Sequence, residues 1–374
     1  MQLKESVVPG IKEFIDNNYN LRYNVITRTV ERDGVPVNDL DLNSIFIAVK
    51  TNCNNATKDL VLSLIYSDST KQYNPFLEFF TDNINETLGT ENLDNLIASI
   101  DTDTPGYDMF IRKWLVSLIA SIHGKHSPLM LILCGGQNTG KTEWFRRLLP
   151  TVLLPYYAES KLDGDKDSDI LMTKKIIILD DEFGGKNKQE SKKLKEMTSK
   201  QTFSIREPYG RVSVDLMRLA MLCGTTNDLQ VLNDPTGNRR MLPIHVLGIN
   251  HDLYNSINKS ELFMELYNLY CSGYNYHLTK DEIKLLNQST GEFQASCMEE
   301  ELVCKYYALP DESSTQVSEV TSADIISHIK QWSSILLSPT KLGLVLKKLG
   351  FEQRIVRKGN NSTQRIYRVV KLNP

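Results

Sequence analysis

No stretch of this sequence approaches the roughly 18 uninterrupted apolar residues that a membrane-crossing helix needs. The amino-terminal segment MQLKESVVPGIKEF lacks the apolar core of a secretory signal. No membrane role is therefore expected, and the expected location is cytoplasmic. Cysteine is sparse: Cys53, Cys134, Cys223, Cys271, Cys297 and Cys304 form no C-x-x-C pair, and several lie in apolar runs. They are read as buried free thiols in a reducing compartment. Internal repeats and low-complexity tracts are also missing, which excludes a solenoid and leaves one polar linker at most. Nor is there a general excess of positive charge. The formal net charge is −3, which argues against a protein that binds nucleic acid over its whole surface.

The composition that remains is that of a globular chain, with 41% hydrophobic and 24% charged residues. A length of 374 residues predicts two or three domains. Apolar strand-like runs alternate with helical segments, which predicts an α/β centre. Charge is unevenly spread. From Lys341 to Pro374 there are nine Lys/Arg against one acid, Glu352, a net of +8, which leaves −11 on the rest of the chain. A basic carboxy-terminal module on an acidic body predicts a localised polyanion site.

Four segments follow from these patterns. Residues 1–110 read as a mainly helical amino-terminal domain with one strand-like run, Leu21 to Glu31, ended by Asp33-Gly34. Residues 111–250 alternate strands and helices. Residues 251–310 read as a helical extension, with Leu253, Ile257, Leu262, Leu266 and Leu269 at roughly helical spacing. After a polar stretch from Asp311 to Glu319, residues 320–374 form a compact basic module.

The second segment carries the chemistry. Leu129 to Cys134 is a continuous apolar run, as a buried parallel strand requires. It leads into Gly135-Gly136-Gln137-Asn138-Thr139-Gly140-Lys141-Thr142, a complete G-x-x-x-x-G-K-S/T loop. In such a loop glycines let backbone N–H groups wrap phosphates, here around Gly135, Gln137, Asn138, Thr139 and Gly140. Lys141 reaches the β and γ phosphates, and the Thr142 hydroxyl ligates Mg²⁺. The expected cofactors are ATP and Mg²⁺. A second apolar strand, Ile176 to Leu179, ends in Asp180-Asp181-Glu182. One carboxylate there is needed near the metal and another beside the attacking water. Strand alternation puts Asp180 and Glu182 on one face, so Glu182 is assigned as base, with Asp180 or Asp181 at the metal. A third apolar strand ends in Asn227, placed to hold the attacking water or contact the γ-phosphate. Arg239 and Arg240 precede a fourth strand, as surface charge or as arginine fingers reaching a neighbouring subunit's nucleotide. Between the second and third strands lie Lys195 and a hairpin-like segment with Arg206, Tyr209 and Arg211, cations beside an aromatic that suit a single-stranded backbone and its bases. Asp163, Asp165, Asp167 and Asp169 do not make a calcium loop: position six is Ser168 and position twelve is Lys174. They read as a solvated acidic loop.

Five segments, G-G-Q-N-T-G-K-T, I-I-I-L-D-D-E-F, L-K-E-M-T-S-K-Q-T-F-S-I-R-E-P-Y-G-R, C-G-T-T-N-D and G-N-R-R-M-L-P-I, occur in that order. Together they resemble the virulence-associated protein E family, whose ATPase core is similar to that of superfamily 3 helicases. The resemblance extends upstream through Tyr73-Asn74-Pro75-Phe76 and Lys113-Trp114-Leu115, and so covers at least residues 70–250. It implies a P-loop NTPase core of AAA+-like, superfamily 3 helicase type. It further implies Mg-ATP at Lys141 and Thr142, an acidic motif at Glu182 and its neighbours, Asn227 as sensor, and Arg240 as finger with Arg239 beside it. Lys195, Arg206 and Arg211 fall in the element that contributes a DNA-binding hairpin in related helicases. Homo-oligomeric rings, commonly hexamers around one strand, and 3′–5′ polarity are implied too. Two departures stand out. The acidic motif reads Leu-Asp-Asp-Glu rather than paired glutamates, and no primase domain precedes the helicase region, so a separate primase is expected in trans.

The last module reads as a helix from Ala323 to Trp332, a second from Thr340 to Leu349, and two strands joined through Gly359-Asn360-Asn361-Ser362. This pattern predicts a winged helix. Its second helix, with Lys347 and Lys348, would enter a major groove of duplex DNA, and Arg357 and Lys358 would reach the backbone from the wing; protein contact is the other use of such a module. The function expected is an ATP-dependent DNA helicase of a phage-like or mobile element. The alternative is an ATP-regulated origin-binding assembly factor with little unwinding.

Overall fold

A computed structural model of the chain describes residues 7–84, 91–162, 165–184, 188–206, 212–232, 238–290, 293, 298–310, 316–333, 335, 337–358 and 362–372. The amino-terminal unit contains α1 (Val8–Asn18), β1 (Leu21–Asn24), β2 (Thr29–Arg32), β3 (Val35–Pro36), α2 (Asp39–Asn52), α3 (Lys58–Ile65) and β4 (Lys71–Tyr73). Its four strands form one sheet in the order β3-β2-β1-β4. The run from Leu21 to Glu31 is therefore two strands and not one. The cause is local: the Asn24 side-chain oxygen accepts from the backbone N–H of Ile26 (3.0 Å) and Thr27 (3.2 Å), and Arg28 is left-handed with φ 57°. That side-chain turn reverses the chain where hydropathy alone reads a continuous strand. Ile11, Ile15, Val30, Ile45, Val49, Val61 and Ile65 make a separate small core.

The central unit begins with α4 (Pro75–Asn83), α5 (Asn92–Ala98), β5 (Ile100–Thr102) and α6 (Tyr107–Ile122). It continues through β6 (Met130–Cys134), α7 (Lys141–Arg146), a 3₁₀ turn (Thr151–Tyr156), β7 (Tyr157–Glu159), α8 (Lys166–Lys174), β8 (Ile177–Asp180) and α9 (Lys188–Ser199). Next come β9 (Thr202–Ile205), β10 (Val214–Met217), β11 (Met221–Thr226) and β12 (Met241–Ile249), then α10 (His251–Ser256), α11 (Lys259–Cys271) and α12 (Lys280–Ser289). The main sheet has the order β5-β12-β6-β11-β8-β7. All its neighbours are parallel except β5, which runs against β12. Every residue of β6 is buried, because helices cover both faces; that is why the strand is an unbroken apolar run. One face packs on Phe110, Trp114, Leu262 and Phe263, the other on Met172, Phe183, Leu194 and Phe203. The Trp114 indole N–H donates to the Leu222 carbonyl at 2.9 Å, so the ring is buried without stranding its polar atom. Phe76, Phe80, Leu96 and Ile100 belong to this core, so α4 and α5 pack with the sheet, while Glu78 also meets Arg22 of the amino-terminal unit at 2.7 Å.

The acidic segment before β8 is not a free loop. Asp165 caps α8 by accepting from the Ser168 N–H at 2.7 Å, and Asp167 and Asp169 occupy the first helical turn, where the helix dipole favours negative charge. Asp163 lies outside the described residues. Cys134 and Cys223 are buried, but Cys271 and Cys304 are exposed, which corrects the expectation of uniformly buried thiols.

The last unit contains α13 (Met298–Tyr306), β13 (Tyr307–Ala308), β14 (Val317–Val320), α14 (Ser322–Ile329), α15 (Pro339–Lys348), β15 (Gln353–Lys358) and β16 (Ser362–Lys371). Leu302, Val303, Ile325, Ile329, Leu342, Leu346 and Tyr367 form its core. Residues 317–319, in the stretch read as linker, pair with β16 together with Val320. The β15–β16 hairpin continues past that pairing, and its β15 residues Gln353–Arg357 are exposed. Among the described residues no helix is long and apolar enough to cross a membrane.

Candidate functional site

The carboxyl ends of β6, β11 and β8 lie side by side, with Thr226 opposite Cys134 and Gly224 opposite Asp180. The glycine-rich loop leaves β6 at this edge and enters α7. Two of its glycines are required by space and backbone. Gly135 has φ 151°, and a Cβ there would lie 2.3 Å from the Val246 carbonyl oxygen; Gly140 has φ 88°, and a Cβ would lie 2.7 Å from the His251 ring. Asn138 is also left-handed, at φ 60°. Gln137 and Asn138 are exposed on the outer turn, with Thr139 half-buried behind them. A cleft of about 580 Å³ is lined by residues 98–102, Tyr107 and residues 248–250, of which Ile249 also stands against Gly140 of the loop.

Lys141 is 6% exposed and turns back into the loop. Its ammonium donates to the carbonyl of Gly135 at 3.0 Å, to the Thr139 hydroxyl at 3.1 Å and to the carbonyl of Gly136, and reaches the Asn227 side-chain oxygen at 3.4 Å. Burial lowers its pKa, while Cys134 and Asp181 act the other way. Asn227 therefore sits next to Lys141 although 86 residues separate them.

The three acids diverge. Asp181 accepts from the Thr142 hydroxyl at 3.0 Å and also from the Thr225 hydroxyl. Asp180 is 2% exposed and points elsewhere; its carboxylate accepts from the Leu162 N–H at 3.4 Å. Glu182 is exposed and left-handed, with φ 63°. The alternation that grouped Asp180 with Glu182 does not apply, because the strand ends at Asp180 and the chain turns. Of the two candidates for the metal position, the structure brings Asp181 and not Asp180 to Thr142. Thr225, which sequence reasoning missed, completes this contact; its signal was its place two residues before Asn227. Gly224 was missed as well. A Cβ there would lie 2.9 Å from the Phe183 Cβ, so the glycine makes room for the residue that follows the acidic turn.

Arg239 and Arg240 lie at the opposite edge of the sheet. The Met130 N–H donates to the Arg240 carbonyl at 2.8 Å, and Met241 is opposite Met130 at the start of β6. The glycine loop begins after Cys134, about 13 Å away along the strand. Arg239 is exposed and Arg240 half-buried. Neither is brought to this chain's own loop.

Lys195 is half-buried on α9, and Arg206 is exposed at the end of β9. The β9–β10 hairpin is antiparallel, with Ile205 opposite Val214; Tyr209 and Arg211 lie outside the described residues. In the last unit Lys347 and Arg357 are exposed, and Lys358 ends β15. Lys348 is not open: its ammonium lies 2.8 Å and 3.0 Å from the two carboxylate oxygens of Glu300 on α13. Lys341 lies 3.9 Å from Glu299. Arg354 and Arg368 share Glu352, whose carboxyl they hold below its usual pKa, Arg354 foremost. Among the described residues no group of three or more His, Cys, Asp or Glu is arranged to hold a metal by itself.

Comparison with known proteins gives the same outline. A search of curated proteins returned no match. Many solved chains match. One, an apo structure of the NrS-1 C-terminal region (its residues 305–718), is 12% identical, with 98% of this chain and 99% of that chain covered and a TM-score of 0.55. A second, an A-form apo structure of the NrS-1 C-terminal region, is 13% identical, with 96% and 98% covered and a TM-score of 0.53. At such identity the likeness shows a shared mixed α/β fold with parallel strands. A family model, the virulence-associated protein E-like domain, matches residues 82–295, more than half of the 374. The chain belongs to the virulence-associated protein E-like family.

Proposed function

We propose that the protein is a P-loop ATPase that hydrolyses Mg-ATP to act on DNA, working as a replicative helicase of a phage-like or mobile element. The observation that carries this is the convergence of Lys141, Thr142, Asp181 and Asn227 at the carboxyl edge of parallel strands. The residues suit the group. Lys141, a cation whose hydrogen bonds among the described residues go to hydroxyl, amide and carbonyl oxygens, is available to an anion that outbids them. Thr142 and Asp181 offer the hard oxygens that Mg²⁺ prefers. Mg²⁺ when bound would neutralise phosphate charge as it develops. Around it the chain would act as follows. Lys141 and the amides of Gly135 to Thr142 bind the phosphates. Asp181 and Thr225 orient the Thr142 hydroxyl. Asn227 holds the attacking water, and Glu182, exposed at the turn, is the base that receives its proton. The cleft along Asp101, Tyr107 and Ile249 leaves room for the nucleoside.

The order β12-β6-β11-β8 supports an AAA+-like, superfamily 3 core, because β11 carries Asn227 between the loop strand and the acidic strand. The distance of Arg239 and Arg240 from this chain's own loop supports fingers that act on a neighbour in a homo-oligomeric ring, commonly a hexamer. In that ring Lys195 on α9, together with Arg206, Tyr209 and Arg211 of the segment between β9 and β10, would grip single-stranded DNA. The α14–α15 pair with its hairpin supports a winged helix on duplex DNA. The test is ATP hydrolysis with and without single-stranded DNA, with sizing in ATP. Stimulated turnover in a ring-sized assembly is expected. Absence of turnover in folded protein refutes the reading; ATP-dependent assembly with no strand separation points to an assembly factor instead.

A further inference from the structure

Arg218 lies between β10 and β11 and is 5% exposed. Burial is the sole influence resolved on its pKa, which falls to about 9, so the guanidinium stays charged at neutral pH, and among the described residues no carboxylate acts on it. Retaining an unpaired cation inside a protein is unfavourable unless oriented dipoles meet it. Here they do. Its Nε donates to the Ala220 carbonyl at 2.7 Å, and one Nη donates to the carbonyls of Thr198 at 2.8 Å and Met197 at 3.3 Å. Met197 and Thr198 belong to the last turn of α9, where carbonyls lack helical partners and the helix end is negative.

These contacts fall at one place, the neck of the β9–β10 hairpin. The incoming chain is Met197 to Gln201 and the outgoing chain is Arg218 to Ala220. The Arg218 backbone N–H closes the neck on the Gln201 carbonyl at 2.8 Å, and the N–H groups of Leu219 and Ala220 both donate to Met172 at the end of α8. The whole of β11 (Met221–Thr226) separates this neck from Asn227, which faces Lys141 at the strand's far end. An apolar side chain would fill the same space without a buried charge. What the guanidinium adds is direction, since a rigid planar fork fixes the angle between α9 and β11. His126, which also bonds the Thr198 backbone, has its pKa pushed down to about 4, by burial first and then by Arg218, and it remains neutral.

We propose that Arg218 is a positioning residue that locks the neck of the hairpin to the strand carrying Asn227, so that the hairpin's grip on single-stranded DNA is coupled to the nucleotide site. This rests on the ATPase reading above. The test uses the full chain as wild type, Arg218→Met and Arg218→Lys. ATP hydrolysis is measured with no DNA and across a series of oligo-dT concentrations, alongside hydrogen exchange of the amides in 202–217. In Arg218→Met the rate without DNA should stay within about twofold, while stimulation by DNA should fall about tenfold, the size of an ordinary coupling between sites. Exchange in 202–217 should quicken while β6 stays protected. Arg218→Lys, which keeps the charge and can still donate to carbonyls, should restore part of the stimulation. A purely structural role lowers both rates in proportion; an unchanged ratio of stimulated to basal rate in both variants therefore overturns the proposal. If the wild type hydrolyses no ATP, it is the proposed function that fails, and unchanged exchange at 202–217 in Arg218→Met then overturns the neck lock independently.

Discussion

Gly224→Ala tests whether the acidic turn is held where the chemistry needs it. Gly224 lies in the middle of β11, opposite Ile132 on β6 and Asp180 on β8, with both faces of the strand covered. An added Cβ would stand 2.9 Å from Cβ, 3.0 Å from Cγ and 3.3 Å from Cδ2 of Phe183. Comfortable carbon–carbon contact is about 3.5–4.0 Å, so Phe183 must retreat by somewhat under 1 Å. It cannot do so by swinging a free end. The nearest atoms are at the root of the side chain, the ring is 3% exposed, and the Phe183 N–H is held by the Thr225 carbonyl at 2.6 Å. The movement must pass into Glu182 and Asp181, and the 3.0 Å bond between Asp181 and Thr142 has little slack before it is lost.

Overpacking of this kind costs about 1–3 kcal/mol, and replacing a strand glycine returns up to about 1 kcal/mol through the unfolded chain. A net loss of about 1–2 kcal/mol is expected, or a fall in melting temperature of roughly 1–3 °C in a chain of 374 residues. The effect on turnover should be larger, because displacing a catalytic group by about 1 Å can cost about a hundredfold. Thermal melts, ATP turnover and nucleotide binding would be measured on the variant and on Gly10→Ala, a matched control where nothing lies within 4 Å of the new Cβ. A Gly224→Ala protein that melts and turns over like wild type would refute the claim that Phe183 buttresses the turn.

Four further outcomes are expected. Lys141→Ala should reduce hydrolysis by at least about a hundredfold as the phosphates lose their countercharge, and near-normal turnover in folded protein would remove the loop assignment. Asp181→Asn should cost about a hundredfold in turnover, while Asp180→Asn should act mainly on stability; the reverse ranking, read by ATPase assay and melt, would return Asp180 to the metal position. Glu300→Gln should release Lys348, raise duplex DNA affinity about two- to fivefold, and steepen its salt dependence by up to about one phosphate contact; an unchanged slope across a salt series would mean that Lys348 does not meet DNA. His126, with its pKa pushed down by burial and then by Arg218, binds a proton less tightly folded than unfolded. Its contribution is complete above about pH 6.5 and is lost as pH falls toward 4, by about 1–2 kcal/mol after solvent screening; denaturant melts of His126→Asn over that interval should be flatter than wild type, and parallel curves would exclude the histidine as the source.

The parts of the site that were legible in the sequence are those where one constraint acts alone. A strand covered on both faces must be apolar throughout, so β6, β8 and β11 could be found by reading, and the loop after β6 by its glycines. Two constraints compete elsewhere. At Asp180-Asp181-Glu182, alternation held only as far as Asp180; the hydrogen bond from Phe183 to Thr225 then closes the turn at a left-handed Glu182, a geometry set by a strand far along the chain. At Asn24, a side chain replaced the backbone partners of a strand and made a turn inside an apolar run. The three-residue β5 lies in one edge position, and its pairing partner Ile249 is about 150 residues away, so no local pattern marks it. No local pattern marks Arg218, because the carbonyls that hold it become available only once α9 has ended nearby.

Charge gives the sharpest case. Counted along the chain, residues 341–374 carry a net of +8. In the folded protein, Lys348 meets Glu300, Lys341 approaches Glu299, and Arg354 and Arg368 divide Glu352. The acids of α13 lie outside the window in which the charge was summed, yet they face α15. The positive surface is therefore narrower than the count and displaced from the helix toward the hairpin. There Arg357 and Arg365 are exposed, and with Thr363 opposite Arg357 and Ile355 opposite Arg365 the two arginines fall on one face. Polyanion affinity follows the cations free to displace counterions, not those already paired. If this module meets duplex DNA, the hairpin face should supply most of the phosphate contacts, and α15 should supply chiefly its exposed Lys347.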